Sequence, residues 1–220
     1  SPILGALEGF SGVNGTISAG YSHTCMIVDN GSIYCWGDDY QGSLGDDNIG
    51  TDSGTPVQVL FTEGYSYSQT AVAISSGQHF SCALMDDGAV VCWGTGSNHV
   101  NNGDGSNNDR GHPTAAIPLG GVAVSIATGD GHACAVLENG SAYCWGKGSS
   151  GQIGNNQRDQ GNSVSQVNLP NGYSAVSIHS GPESDTTCAI MSDNSAWCWG
   201  QNDYGQAGVG HDCDYGEYAE

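Results

Sequence analysis

The 220-residue sequence predicts an all-β chain made of four copies of one unit, each unit holding four short strands around a central hairpin. Three observations predict it. Cysteines recur in pairs at a ten-residue step: Cys25 with Cys35, Cys82 with Cys92, Cys134 with Cys144, and Cys188 with Cys198. Each second cysteine is followed by Trp-Gly, at 36–37, 93–94, 145–146 and 199–200. No segment of twelve or more residues carries a 3.6-residue apolar period, so little helix is expected. The first cysteines lie 57, 52 and 54 residues apart, a period typical of stacked repeat architectures.

The elements follow in order within each copy. An alternating apolar stretch comes first: Ala71-Val72-Ala73-Ile74, Ala123-Val124-Ser125-Ile126 and Ala175-Val176-Ser177-Ile178, with Ile17 in the matching place of copy one. A glycine (Gly20, Gly77, Gly129, Gly181) then precedes the hairpin. After Trp-Gly comes a polar Gly/Asn/Asp loop ending in Gly42-Ser43-Leu44-Gly45, Gly151-Gln152-Ile153-Gly154 or Gly205-Gln206-Ala207-Gly208. Copy two has an Asn/Gly-rich segment, 95–111, in its place. A fourth strand is expected at 56–60, 114–119 and 163–169, bounded by turn residues. The copies therefore run 15–70, 71–122, 123–174 and 175–210, with an apolar segment 1–14 before them, read as a closing strand or an intersubunit contact, and an acidic tail 211–220 after them.

The hairpin register can be derived. Cys25 and Cys35 are symmetric about Asn30, which leaves the three-residue loop Asp29-Asn30-Gly31. Such a loop is a type I turn followed by a residue at positive φ, and Gly31, Gly88 and Gly140 supply that residue in copies one to three. Copy four offers Asn194, the next most tolerant side chain. Three steps out from a hydrogen-bonded closing pair, the two cysteines face each other as a non-hydrogen-bonded pair with Cα atoms ~4.5 Å apart. Cross-strand disulfides joining Cys25 to Cys35, Cys82 to Cys92, Cys134 to Cys144 and Cys188 to Cys198 are thus favoured over the other connectivities of eight cysteines. Such staples imply an oxidising compartment.

Zinc competes with this reading. His23, Cys25 and Cys35, with His79 and His132 near the equivalent place in later copies, form a candidate ligand set. The cysteine spacing is wider than structural zinc knuckles use, and copy four has Thr186 and Thr187 where a histidine is needed. The disulfide reading is preferred. Cys213, in His211-Asp212-Cys213-Asp214, has no repeat partner and is read as unpaired or intermolecular. Its carboxylate neighbours disfavour a thiolate, so no catalytic cysteine is expected there.

Lys and Arg total three against 23 Asp and Glu, for a formal charge of −20. That excludes a nucleic-acid binder, which needs cations to displace phosphate counterions, and disfavours an anionic membrane surface. No apolar run is long enough to span a bilayer. The chain begins at Ser1 and is read as a mature or trimmed product. No cofactor is expected. Asp46-Asp47-Asn48 with Asp52, and Asn102, Asp104, Ser106, Asn108 and Asp109, are oxygen-rich loops that could take Ca²⁺, but neither fits the EF-hand pattern and hydrated loops are the preferred reading. Asn14, Asn30 and Asn139 open N-glycosylation sequons. Trp36, Trp93, Trp145 and Trp199 are expected between repeats, each with its indole N–H on a backbone acceptor. No phosphate-cradling loop or nucleophile elbow is present, and nothing in the sequence brings Ser, His and Asp together.

Read as Gly129…His132…Gly140…Tyr143-Cys144-Trp145-Gly146…Gly151-Gln152-Ile153-Gly154, and as Gly20…His23…Gly31…Tyr34-Cys35-Trp36-Gly37, the unit resembles the repeat of the regulator of chromosome condensation family. The likeness covers about residues 15–210, and the cysteine pairs match what looks like a secreted version. It implies a β-propeller with one four-stranded blade per repeat. The family's best-known member is a nuclear exchange factor for a small GTPase that docks on chromatin; the charge and the predicted disulfides argue against carrying that role over. The family usually closes seven blades. Four blades form a small ring, part of a larger propeller, or an open arc whose edges bind another copy head to tail. The expected function is an extracellular or cell-surface protein-binding or structural module, a subunit of a surface assembly or filament, and not an enzyme. The alternative is a secreted monomeric propeller acting as a protein inhibitor or ligand-binding protein.

Overall fold

The computed structural model describes residues 16–61, 68–96, 107–113, 115–158, 161–208 and 210. The first unit is a four-stranded antiparallel sheet of β1 (Ile17–Ala19), β2 (His23–Ile27), β3 (Ile33–Gly37) and β4 (Ser53–Gln58) in sequence order. The second holds β5 (Ala71–Ser76), β6 (Phe80–Met85) and β7 (Val90–Gly94). The third is again four-stranded: β8 (Ala123–Thr128), β9 (His132–Leu137), β10 (Ala142–Gly146) and β11 (Gly161–Gln166). The fourth holds β12 (Ala175–His179), β13 (Thr186–Met191) and β14 (Ala196–Gly200). Among the described residues no helix is long and apolar enough to cross a membrane.

Two units therefore have three regular strands among the described residues, not the four expected of every copy. In unit two the place of the fourth is marked by isolated bridges Val91↔Ala116 and Gly94↔Arg110. Pro118, which has no N–H to donate, stops the ladder one residue after Ile117. The fourth strand begins three residues earlier than its sequence pattern suggests in unit one, at Ser53, and two residues earlier in unit three, at Gly161.

The hairpins adopt the expected register. In unit one Val28 N–H donates to Ser32 O and Gly31 N–H to Val28 O, both within 2.9 Å, a type I turn with its bulge. The same pair of bonds closes the other three turns, and the positive-φ residues are Gly31, Gly88 and Gly140 at 80° and Asn194 at 69°. Each cysteine faces its expected partner in the ladder: Cys25 faces Cys35, Cys82 faces Cys92, Cys134 faces Cys144 and Cys188 faces Cys198. All four pairs are disulfide-bonded. Their Cα atoms stand 4.1 Å apart in the Cys25, Cys82 and Cys134 pairs and 4.0 Å apart between Cys188 and Cys198, slightly closer than the ~4.5 Å of a generic non-hydrogen-bonded pair.

A thin sheet cannot bury both faces by itself, so the cores lie between units. One core joins Ile33, Leu44 and Val59 of unit one to Met85, Val91 and Trp93 of unit two. A second joins Phe80, Val90 and Leu119 of unit two to Ala135, Leu137 and Trp145 of unit three. The third joins Val136, Ile153 and Val167 to Ile178, Met191 and Trp199. The opening strands β1, β5, β8 and β12 contact one another in that order, so the sheets radiate from them as blades. A bulge at the second residue of β5, β8 and β12 turns Val72, Val124 and Val176 out to solvent.

Candidate functional site

At two seams the Trp-Gly corner of one blade meets the Gly-x-x-Gly loop of the blade before it. Trp93 Nε1 donates to Ser43 O at 3.0 Å, and Trp199 Nε1 donates to Gln152 O at 2.9 Å. The loops are shaped for this. Gly45 and Gly154 have φ of 74° and 71°, and a Cβ on either would stand 2.8 Å from the indole nitrogen. Trp145 is as buried as these two, yet its N–H meets no acceptor among the described residues; the sequence of copy two has no Gly-x-x-Gly loop. Trp36 is only half-buried. The expectation of one backbone-bonded indole per copy thus holds for two of the four tryptophans.

The same seams bring histidine and hydroxyl groups together in a way sequence spacing did not reveal. His23 Nε2 lies 2.9 Å from Ser81 Oγ, and His132 Nε2 lies 2.7 Å from Thr187 Oγ1. In each pair the hydroxyl proton is directed elsewhere, from Ser81 to Ser76 Oγ and from Thr187 to Gln152 O, so the imidazole is the donor. A nucleophile–base pair needs the opposite polarity and a partner on Nδ1, and both Nδ1 atoms are buried without one. Burial, opposed by Asp38 and reinforced by His79, pushes His23 down to about 4. Burial likewise pushes His132 down to about 4 against the pull of Asp130. These pairs are inter-blade bolts. His79 is not equivalent to His23: the residue facing Gly94 is Phe80, as His23 faces Gly37 and His132 faces Gly146.

The remaining candidates sort as follows. Cys25 and Cys35 bond each other and His23 bonds Ser81, so the zinc set is dispersed; among the described residues no cluster of three His, Cys, Asp or Glu groups could hold a metal. The other six cysteines of the repeats are equally spent: Cys82 on Cys92, Cys134 on Cys144 and Cys188 on Cys198. The Asp46 carboxylate accepts from Asn48, Asp47 pairs with His112 Nδ1 at 2.8 Å, and Asp52 accepts from the Asp39 N–H. These acidic groups face separate partners. In the second acidic loop Asp109 accepts from Gly96 N–H at 3.0 Å, while Asn102, Asp104 and Ser106 lie outside the described residues. Asn30 and Asn139 sit exposed at hairpin tips, each accepting from the N–H of the sequon serine, Ser32 and Ser141. Asn14 and Cys213 lie outside the described residues, as do segments 1–14 and 211–220.

The surface that stands out is the rim carrying the loops before and after the hairpins. Tyr21 and Tyr40, both exposed, each meet the His79 ring in an edge geometry, with centroids 5.8 and 5.6 Å away. Asp38 closes the patch, accepting from Ser22 Oγ at 2.9 Å and lying 3.9 Å from His79 Nδ1. Beneath it the carboxylate of Asp39 is fully buried and accepts from Leu44 and Thr51 N–H groups, which fixes the loop that carries Tyr40. Burial raises the Asp39 pKa against those bonds. At the far end of the rim Tyr204 is 93% exposed. Between them Lys147 bridges Asp130 and Asp185 at 2.6 and 2.9 Å, so one of the chain's three basic residues is spent inside the array. Burial alone would lower its pKa, but the two carboxylates outweigh it and hold it above the ordinary value.

Comparison with known proteins agrees with this architecture. The family model described as regulator of chromosome condensation (RCC1) repeat matches residues 16–43, 71–100, 123–152 and 184–206, and a second model of the same description matches 30–84. The human E3 ubiquitin-protein ligase HERC2 is 30% identical over 186 residues, 84% of this chain and 4% of the ligase. The Arabidopsis thaliana ultraviolet-B receptor UVR8 is 28% identical over 196 residues, 88% of this chain and 43% of the receptor. Among solved structures, yeast RCC1 (Prp20) bound to Kap60 superposes with a TM-score of 0.78 at 20% identity, covering 97% of this chain and 50% of that one. The chain spans half or less of the length of these proteins.

Proposed function

Because this chain belongs to the regulator of chromosome condensation (RCC1) repeat family, we propose that it is an extracellular protein-binding module whose acidic, tyrosine-bearing rim takes up a cationic segment of a protein partner. The observation that carries this reading is the Tyr21–His79–Tyr40 cluster with Asp38 at its edge. Exposed tyrosines held rigidly by a neighbouring ring offer large contact area at little entropic cost, the property of interface anchors. The surrounding charge of −20 attracts cations and repels anions over about a Debye length. Four disulfides support an oxidising, extracellular setting. The polarity of the His–Ser and His–Thr pairs supports binding over hydrolysis. In such a setting Asn30 and Asn139 are the accessible glycan acceptors.

A displayed random-peptide library selected on the immobilised chain tests this. Lys/Arg-bearing peptides should be enriched, and the double variant carrying Tyr21→Ala and Tyr40→Ala should weaken them at least about tenfold. Selection without a basic bias, or binding indifferent to the two tyrosines, would contradict it.

A further inference from the structure

The chain turns from unit three into unit four around a polar groove, and we propose that this groove binds a neutral saccharide. The proposal goes beyond rim binding and does not depend on it. A cavity of about 340 Å³ lies there, room for a mono- or disaccharide, between the hairpin tip at 139–142 and the segment 166–174. Amides, hydroxyls and an aromatic ring line it, from Asn139, Gln166, Asn168, Asn171, Ser174 and Tyr173. No charged side chain does, in a chain whose formal charge is −20. An ionic ligand finds no counter-charge in such a site, and a neutral polyol needs none. Its hydroxyls are matched by groups that both donate and accept, as amides do.

The amides of the groove are unspent. Elsewhere in the array such side chains hold the protein's own loops: Asn30, Asn155 and Asn202 accept from backbone N–H groups, and Gln152 donates to Asp185. Asn139 is used in the same way, accepting from Ser141 N–H at 2.9 Å. Gln166, Asn168 and Asn171 are exposed, and their amides make no hydrogen bond among the described residues. The backbone that presents them is fixed. Asn168 N–H donates to Gly154 O, Tyr173 N–H to Pro170 O and Ala175 N–H to Gly140 O. The turn from Pro170 to Tyr173 has Gly172 at a φ of 91°, as a type II turn requires.

The aromatic ring is braced as well. Tyr173 is 39% exposed and leans on Trp197, with ring centroids 5.1 Å apart. The Trp197 N–H donates in turn to Ser195 Oγ at 3.0 Å. This brace is particular to the fourth blade, since the same ladder place holds Tyr34, Val91 and Tyr143 in the others. A partly open ring beside free amides gives a sugar a surface for its C–H face and partners for its hydroxyls. Held in place beforehand, these groups lose little freedom when the ligand arrives. Asn139 also opens a sequon, so the same chemistry can come from a glycan on this chain or from a separate saccharide.

The test takes the full 220-residue chain, secreted in oxidised form by bacteria so that Asn139 carries no glycan. It is applied to an array of mannose-, galactose- and N-acetylglucosamine-terminated oligosaccharides together with sialylated ones. The neutral oligosaccharides should be retained in preference to the sialylated. The double variant carrying Asn168→Ala and Asn171→Ala should bind them at least about tenfold more weakly. It should melt at the wild-type midpoint, because both side chains are exposed and hold nothing in the fold. Tyr173→Ala should lose binding and Tyr173→Phe, which keeps the ring, should retain it. Chain secreted by eukaryotic cells with a glycan on Asn139 tells the two sources apart. An attached glycan that fills the groove shuts the array saccharides out, and one that does not leaves their binding unchanged. An array on which the bacterial chain retains no neutral oligosaccharide overturns the proposal. So does retention indifferent to the amide and tyrosine variants, or stronger retention of the sialylated forms.

Discussion

The indole nitrogen of Trp199 sits 2.9 Å from the carbonyl oxygen of Gln152, 47 residues earlier and one blade back. Trp93 repeats the relationship with Ser43. Unit two is thus joined to unit one, and unit four to unit three, by a directional contact from the Trp-Gly corner to the loop before it, and the cores at these seams fill in around it.

Trp199→Phe and Trp145→Phe remove the same volume from fully buried sites, but only the first breaks a hydrogen bond. Trp199→Phe should cost about 1 kcal/mol more than Trp145→Phe in denaturant unfolding, since the second also removes a buried, unpaired donor. Equal losses would show that the bond contributes nothing.

Gly154 and Gly208 have nearly equal φ, 71° and 75°, so alanine strains both backbones alike. Only at Gly154 does the new methyl meet an indole, 2.8 Å from Trp199 Nε1. Gly154→Ala should therefore be the more destabilising by ~1–3 kcal/mol, and thermal melts of the two variants at low concentration decide it.

His23 and His132 are pushed down to about 4 by burial, against an ordinary 6.5. The unfolded chain takes up these protons first as pH falls, so stability present above pH 6.5 is lost progressively toward pH 4. Each residue contributes on the order of 3 kcal/mol to that loss at most. His132→Phe, which copies the Phe80 found at this register in unit two, should roughly halve the fall. A pH profile unchanged by the substitution would contradict the assignment.

Each disulfide closes the same ten-residue step in a separate blade. Replacing both cysteines of one pair by alanine should cost roughly 2–3 kcal/mol by the chain-entropy account. The loss from replacing Cys82 with Cys92 and the loss from replacing Cys188 with Cys198 should add in the quadruple variant, because the two bonds lie in different blades with no shared partners.

The hairpins were legible in the sequence because turn chemistry and cysteine spacing are local and agree with each other. Asp29-Asn30-Gly31 sets the turn, and the turn sets the pairing of Cys25 with Cys35. The same holds for Cys82 with Cys92 and for Cys188 with Cys198, although Asn194 replaces glycine in the last turn. Burial of Trp93, Trp145 and Trp199 was legible from their period, which Trp36 shares while only half-buried. Their partners were not, since the carbonyl that Trp199 meets depends on how two sheets stack. The His23–Ser81 and His132–Thr187 bolts were hidden for the same reason, and aligning His79 with His23 missed by one residue the position that Phe80 fills. The rim cluster joins Tyr21 and Tyr40 of one blade to His79 of the next, a distance that no spacing within a repeat encodes.

The register of the four hairpins underlies the fold, the seams and the oxidising setting together. Alkylation of free thiols in protein taken directly from its native source, followed by non-reducing peptide mapping, tests it most directly. The account predicts peptides linked between Cys25 and Cys35, Cys82 and Cys92, Cys134 and Cys144, and Cys188 and Cys198, and no others among these eight cysteines. Bonds between different repeats would break the register, and eight alkylated thiols would remove the extracellular setting on which the proposed function stands.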